Sequence, residues 1–191
     1  MTATIILASA SPRRQELLRQ IRVRYKVAVA SIDETPLPDE DPVTYAERLA
    51  HAKALAVWER THPSLPVLGA DTVVAIDDRI LGKPRNKAQA LEMLRCLSGR
   101  SHDVFTAVCL LHGGRPLRAL SRSQVRFRPL TDEEILAYWE TGEPRDKAGA
   151  YAIQGLGAIF VQRLEGSFSG VMGLPLYETA ELLRQTGIEV L

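Results

Sequence analysis

From Leu65 to Ile76 the chain carries only two polar side chains, Asp71 and Thr72, before it meets Asp77-Asp78 and returns through Arg79-Ile-Leu. Such a run, bounded by turn residues, reads as an apolar strand entering a hairpin. Asp71, within Gly69-Ala-Asp-Thr-Val-Val74, is the residue that does not belong there. Aspartate is depleted inside strands, and a buried charge is costly without a partner. A metal ion or a cationic neighbour is therefore implied. The nearest cations by pattern are Lys83, in Leu81-Gly82-Lys83-Pro84 after the hairpin, and Lys53 on a long helix upstream. A structural ion pair with one of those lysines and a catalytic carboxylate are both open readings of this segment.

The flanking sequence supplies helices and further strands in alternation. Thr4 to Ala8 reads as a short buried strand, and Ser11-Pro12 gives the N-cap and first-turn proline of a helix to about Ile21. Arg24 to Ala30 alternates as a second strand. Asp41-Pro42 opens a long helix, with Tyr45, Leu49, Ala52 and Ala56 on one face, that ends at His62-Pro63. Asn86 caps a helix that stops at Gly99. Residues His102 to Leu111 and Leu117 to Phe127 flank His-Gly-Gly-Arg-Pro as a hairpin, and Thr131-Asp-Glu-Glu134 is a capping box for a helix closed by Gly142. A Gly-rich section carries a strand near Ala158 to Arg163, and Pro175 to Gln185 forms the last helix. The expected class is α/β, with a mixed sheet flanked by helices and one domain over residues 1–191.

Charge then restricts the partners. Lys and Arg total 24 against 23 for Asp and Glu, so no global basic field gathers nucleic acid or an anionic membrane. An anion site must be local. No stretch approaches the length of a membrane span, and the N-terminus lacks the pattern of a signal peptide, which makes the cytoplasm the expected compartment. Cys96 and Cys109 show no CxxC spacing and sit in apolar periodic segments, where they are expected as buried free thiols.

Three further segments bear on chemistry. In Ser9-Ala-Ser11-Pro12-Arg13-Arg14, two arginines fall in a first helical turn, where the positive end of the helix dipole opposes them unless something negative is present. Backbone N–H groups, the two hydroxyls of Ser9 and Ser11 and two guanidinium forks suit a polyphosphate. The alternative has the arginines facing solvent or pairing with Glu16. Asp33-Glu34 follows the second strand, and since α/β sheets place ligands at strand ends, Glu34 and Asp71 together suit Mg²⁺ or Mn²⁺ through oxygen. In Asp146-Lys-Ala-Gly-Ala-Tyr-Ala-Ile-Gln154-Gly155, a glutamine that both donates and accepts can match a pyrimidine edge, though a surface-loop glutamine would look the same. No Walker P-loop, GxGxxG, nucleophile elbow or HExxH spacing is present.

Taken in order, these pieces resemble the Maf family, the septum formation inhibitor-like proteins, over nearly the whole chain. The matching segments are Leu7-Ala-Ser-Ala-Ser-Pro-Arg-Arg14, Arg48-Leu-Ala-His-Ala-Lys53-Ala, Gly69-Ala-Asp-Thr-Val-Val74, Leu81-Gly-Lys-Pro84, Leu97-Ser-Gly99, Asp146-Lys-Ala-Gly-Ala-Tyr151, Ile153-Gln-Gly155 and Gly173-Leu-Pro175. The resemblance implies an ITPase-like (Ham1-like) fold with a twisted sheet and a central cleft, commonly a homodimer. The implied activity is divalent-metal-dependent hydrolysis between the α and β phosphates of nucleoside triphosphates, with a house-cleaning role against modified pyrimidine nucleotides. Arg13, Thr72 and Gln154 match the subgroup acting on dTTP and UTP; the 7-methyl-GTP subgroup differs there and is the alternative within the family. Phe168, where tyrosine is common, and Val171-Met172, where two valines are usual, depart from the family pattern.

The resemblance favours Asp71 as the proton acceptor, with Lys53 and Lys83 beside it; its role as metal ligand together with Glu34 stays open as the alternative, since one carboxylate does not easily do both, and Ser9, Ser11, Arg13 and Arg14 would lie on the phosphates. Thr72 and Gln154 read the base. The reading from a different class is a non-catalytic nucleotide-binding regulator of cell division, which would need the phosphate cradle but not Asp71.

Overall fold

In the computed structural model, which describes residues 3–77 and 79–190, helices pack on both faces of a mixed seven-stranded sheet. In chain order the elements are β1 (Ile5–Leu7), α1 (Pro12–Gln20), β2 (Tyr25–Val27), α2 (Pro42–Thr61), β3 (Val67–Ile76), β4 (Arg79–Leu81), α3 (Lys87–Leu97), β5 (Ser101–His112), β6 (Arg115–Phe127), α4 (Asp132–Glu140), β7 (Val161–Glu165), α5 (Phe168–Met172) and α6 (Leu176–Arg184). The sheet runs β2-β1-β3-β5-β6-β7, with β4 also on β3. β1 is parallel to β2 and β3, and the remaining pairs are antiparallel.

The helix starts follow from side-chain chemistry. Ser11 accepts from the Arg14 amide, Asp41 from those of Val43 and Thr44, and Asn86 from that of Gln89. Thr131 and Glu134 close a reciprocal capping box. Each satisfies donors that a helix N-terminus leaves without a partner.

Three expectations need correction. The second strand is confined to Tyr25–Val27 rather than Arg24 to Ala30. The strand expected near Ala158 to Arg163 begins later, because Leu156–Phe160 forms a 3₁₀ turn and β7 follows at Val161–Glu165. On α2 the buried face is Ala46, Leu49, Ala50, Ala54 and Val57, not the stripe through Ala52 and Ala56. Both cysteines are free, with Cys109 buried and Cys96 only partly so. Among the described residues no helix is long and apolar enough to cross a membrane.

β3 divides the core by its pleat, since alternate residues face opposite sides. Val67, Val73 and Ala75 pack against Ala46, Ala50, Ala54 and Val57 of α2. Leu68 and Ala70 join Leu17 and Leu18 of α1 with Leu182 and Leu183 of α6, while Val74 and Ile76 join the cluster of α3 and α4.

The position of the cleft follows from strand lengths. β5 pairs with β3 from Val67 to Ala75 along one edge. Along the other edge β1 pairs only at Val67 and Leu68, and β4 only from Val74 to Ile76. The edge at residues 69–73 therefore lies between two strand ends with neither beside it, and Asp71 and Thr72 stand in that gap.

Candidate active site

α2 reaches the gap because small residues let it approach. A Cβ added at Gly69 would lie 2.2 Å from the Ala50 carbonyl oxygen and 2.8 Å from the Ala54 amide nitrogen, so helix and strand touch backbone to backbone. That contact carries Lys53 over the strand, where its Nζ lies 2.6 Å from Asp71 Oδ1 and 2.8 Å from Glu34 Oε1. Glu34 is held by its backbone, whose carbonyl accepts from the Tyr45 hydroxyl at 2.7 Å. Of the two lysines left open by the sequence, Lys53 makes the ion pair.

The two carboxylates are driven apart in basicity. Asp71 is 7% exposed, and burial pushes its carboxyl above the usual range against the pull of Lys53 and Arg14. Burial also pushes Glu34 upward, but the hydrogen bond and charge of Lys53, with Lys83 and Arg14 behind it, bring it below the ordinary value. Neighbouring carboxyls with divergent basicity commonly divide acid–base roles. The same negative charge, added to burial, raises the Tyr45 phenol to about 12.

Thr72, next along the pleat, faces the other side of the sheet. Its hydroxyl oxygen lies 3.3 Å from Arg14 NH2 and 3.0 Å from Thr106 Oγ1. Arg14 is buried; its Nε donates to the Gly173 carbonyl at 2.7 Å and its NH1 to Ser9 Oγ at 3.2 Å. Desolvation lowers the guanidinium's affinity for its proton, and the charge of Asp71 opposes that. Arg13 donates from Nε to the Met172 carbonyl at 3.3 Å and lies 3.7 Å from Asp146. Glu16 is partner to neither arginine among the described residues. Ser11 spends its hydroxyl on the Arg14 amide, and its own N–H donates to Ser9 Oγ at 3.2 Å.

The opposite wall is irregular chain. Lys83, just after β4, and Gln154, exposed at the tip of a turn, complete a cleft of about 580 Å³. Ser9, Ser11, Arg13, Arg14, Glu34, Lys53, Asp71, Thr72, Lys83 and Gln154 all line it. One concavity thus joins a buried carboxylate, a shared ammonium, further cations and an amide without a side-chain partner among the described residues, an arrangement suited to a polyanion carrying a planar head.

The Maf-like protein family model matches residues 4–186. The chain belongs to the Maf family. Among curated relatives, a dTTP/UTP pyrophosphatase from Nitrosomonas europaea is 50% identical, covering 97% of this chain and 96% of that protein. One of the same name from Pasteurella multocida is 50% identical, covering 96% of each. Among solved structures, a HAM1 protein from Coxiella burnetii is similar in part, with 22% identity, a TM-score of 0.43, and coverage of 66% of this chain and 73% of that one.

Two residues of this Maf chain escape the sequence pattern. Thr106 is 1% exposed; its Oγ1 lies 2.8 Å from the Gly170 carbonyl, which can only accept, and it backs Thr72 across the β3–β5 ladder. Glu143 buttresses the loop that carries Gln154. Neither has a local signature, because each acts through a partner distant in sequence.

The donor set suits a hard divalent cation. Among the described residues no group of three or more His, Cys, Asp or Glu converges. Two carboxylates, Asp71 and Glu34, do converge on the one ammonium of Lys53. Mg²⁺ is typically held by one or two carboxylates, with waters and substrate phosphates filling its remaining positions. This Maf cleft presents two carboxylates, with Arg13 and Arg14 lining the same cavity, and so fits the carboxylate part of that requirement.

Proposed function

We propose that this protein hydrolyses dTTP and UTP, and modified pyrimidine nucleotides of the same shape, to the monophosphate and pyrophosphate. The observation that carries this reading is Asp71, a buried carboxyl tied to Lys53 at the edge of β3 left open between β1 and β4. The whole-length similarity to proteins named dTTP/UTP pyrophosphatase supports the substrate class.

Asp71 Oδ1 is occupied by Lys53, while Oδ2 has no hydrogen-bond partner among the described residues. In the proposed reaction a water gives its proton to Asp71 as its oxygen bonds to the α phosphorus. The anhydride bond to the β phosphate breaks and pyrophosphate leaves. Lys53 holds the carboxylate in place, and Arg13, Arg14 and Lys83 offset charge on the phosphates, an electrostatic and positioning task with no covalent intermediate. Mg²⁺ or Mn²⁺ would be held by Glu34, with Asp71 as its second carboxylate only where Asp71 is ligand rather than base, and would supply polarisation of the phosphoryl oxygens. Gln154, with Thr72, reads the base. The reading extends to a cytoplasmic enzyme and, by the family resemblance, to a homodimer.

The test is phosphate release, with added pyrophosphatase, from dTTP, UTP, 7-methyl-GTP and ATP, with and without Mg²⁺ or Mn²⁺. Cation-dependent turnover led by dTTP and UTP is the expected result. Turnover led by 7-methyl-GTP would move the protein to the other subgroup, and no turnover of any triphosphate would overturn the enzymatic reading.

A further inference from the structure

Among the described residues the Gln154 side chain has no hydrogen-bond partner, unlike that of Thr72, yet the backbone around it is fixed from behind. Glu143, just beyond α4, accepts from the Tyr138 hydroxyl at 2.6 Å and the Gly157 amide at 3.0 Å on Oε1, and from the Leu156 amide at 2.9 Å on Oε2. The Tyr138 oxygen accepts in turn from the Ala152 amide at 3.1 Å. The loop is therefore gripped on both sides of Gln154, and its turn is closed by the Gly155 amide on the Ala152 carbonyl at 3.2 Å.

Two glycines of the loop are explained by this grip. A Cβ at Gly155 would stand 2.2 Å from Glu143 Oε2, and one at Gly157 would stand 2.7 Å from the Tyr138 oxygen. Only residues without a side chain let the carboxylate and phenol come so close. Tyr138 is itself anchored, 4% exposed on α4 with its ring edge-on to Phe160 at 4.9 Å. Partial burial pushes the Glu143 carboxyl upward, but the phenol and the two amides outweigh it and keep the group ionised.

We infer that Glu143 and Tyr138 clamp the 152–157 loop so that Gln154 meets a pyrimidine ring from a fixed position, making Glu143 a positioning residue for base selectivity. The inference rests on the base-reading role of Gln154 proposed above. Ordering a loop costs conformational entropy, and a loop ordered before binding spares that cost when the nucleotide enters. A loop left free would let the amide meet the ring at shifted distances and angles, which weakens the paired contacts to uracil and narrows the preference over cytosine. Cytosine presents the reverse of the uracil pattern, so the ratio of kcat/KM for UTP over CTP reads the clamp.

Glu143→Gln is the main variant, because it keeps the shape but sets an NH₂ group against the Leu156 amide. Glu143→Ala removes every bond at once and endangers folding, so Tyr138→Phe serves as the second variant. In Glu143→Gln the UTP/CTP ratio is expected to fall about tenfold, the worth of one well-formed hydrogen bond. Exchange of the Leu156 and Gly157 amides, followed by NMR, should speed up, and Glu143→Gln in a Gln154→Ala background should lower the ratio no further. If Gln154→Ala lowers the ratio while Glu143→Gln leaves it unchanged, or if the two effects add, or if the amides exchange as before, the clamp is refuted. If Gln154→Ala itself leaves the ratio intact, the base-reading role falls and takes this inference with it.

Discussion

The two walls of the cleft are built by opposite means. On the β3 side nearly every functional side chain is already engaged: Lys53 with Asp71 and Glu34, Arg14 with Gly173, Ser9 and Thr72. On the loop side Gln154 is exposed, with no side-chain partner among the described residues, and it is the backbone beneath it that is held. Fixed charge aimed at a developing charge needs no reorganisation during reaction, which favours a rigid wall where phosphate is cleaved. Base recognition needs only that an amide arrive at one place, so order in the loop suffices.

The hardest blow to the charged wall is Asp71→Asn. It removes the proposed proton acceptor and leaves Lys53 in an ion pair with Glu34 alone. We expect kcat to fall about 10³-fold, the scale of a lost general base, with the circular dichroism spectrum unchanged. A variant with near-normal turnover would mean that the carboxylate is only the structural partner of a lysine.

Next in size is Lys53→Met, which deletes a cation worth roughly 2–4 kcal/mol of transition-state stabilisation, a fall in kcat/KM of about 10²-fold or more. It also has a directional signature. Lys53 draws the Asp71 carboxyl downward against burial. Without it the carboxyl binds its proton more tightly, and a base must be deprotonated to act. The acidic limb of the pH profile of kcat/KM should therefore move to higher pH. A limb that stays in place would separate Lys53 from Asp71 in function.

Gly69→Ala attacks the same wall from its support. The new methyl would meet the Ala50 carbonyl at 2.2 Å. Backbone cannot yield as a side chain does, so α2 must retreat, at a cost of about 3 kcal/mol or more. That corresponds to a loss of about 10 °C in Tm for a chain of this length. Activity should fall further than stability accounts for, since Lys53 retreats with the helix.

What the sequence disclosed and what it withheld divide along similar lines. Caps and turns are local chemistry, and Ser11, Asp41, Asn86 and Thr131 all start helices where their side chains predict. Asp71 was legible because its surroundings contradict it. Its choice of Lys53 over Lys83 was not, because that depends on how closely α2 settles on Gly69. The same contact explains the misplaced face of α2: a helix rich in alanine has little amphipathic contrast, and the strand beneath selects Ala50 and Ala54 for size. β7 starts later than its own residues predict, because its start is set by pairing with Phe127 and Arg126 on β6. Glu143 and Thr106 look like ordinary helix-end and strand residues until the chain is folded.

On the loop wall, Gln154→Glu should weaken use of UTP and dTTP about tenfold or more, because a carboxylate accepts but cannot donate. Binding of Mn²⁺, read by calorimetry, should be unaffected, since the carboxylates proposed to hold it, Glu34 and Asp71, lie on the other wall. Unchanged selectivity would remove the glutamine from base recognition.

The smallest effect tests whether the rigid wall extends one residue beyond the cleft surface. Thr106 offers one proton, and the Gly170 carbonyl at 2.8 Å has none to give, so that contact claims it. The 3.0 Å contact between Thr106 and Thr72 then needs the proton of Thr72, whose oxygen is left to accept from Arg14. Arginine, two hydroxyls and a carbonyl thus form a chain of fixed direction, in which Thr72 turns a lone pair rather than a proton toward any further neighbour. Thr106→Val keeps the volume and deletes the link, leaving the Thr72 proton without its acceptor. The cost to stability should be about 1–2 kcal/mol, and kcat/KM for UTP should fall a few-fold through the loosened Thr72 and Arg14. Thr106→Ser retains the hydroxyl and should restore activity; if serine behaves as valine does, the methyl packing of Thr106 matters and the hydroxyl chain does not.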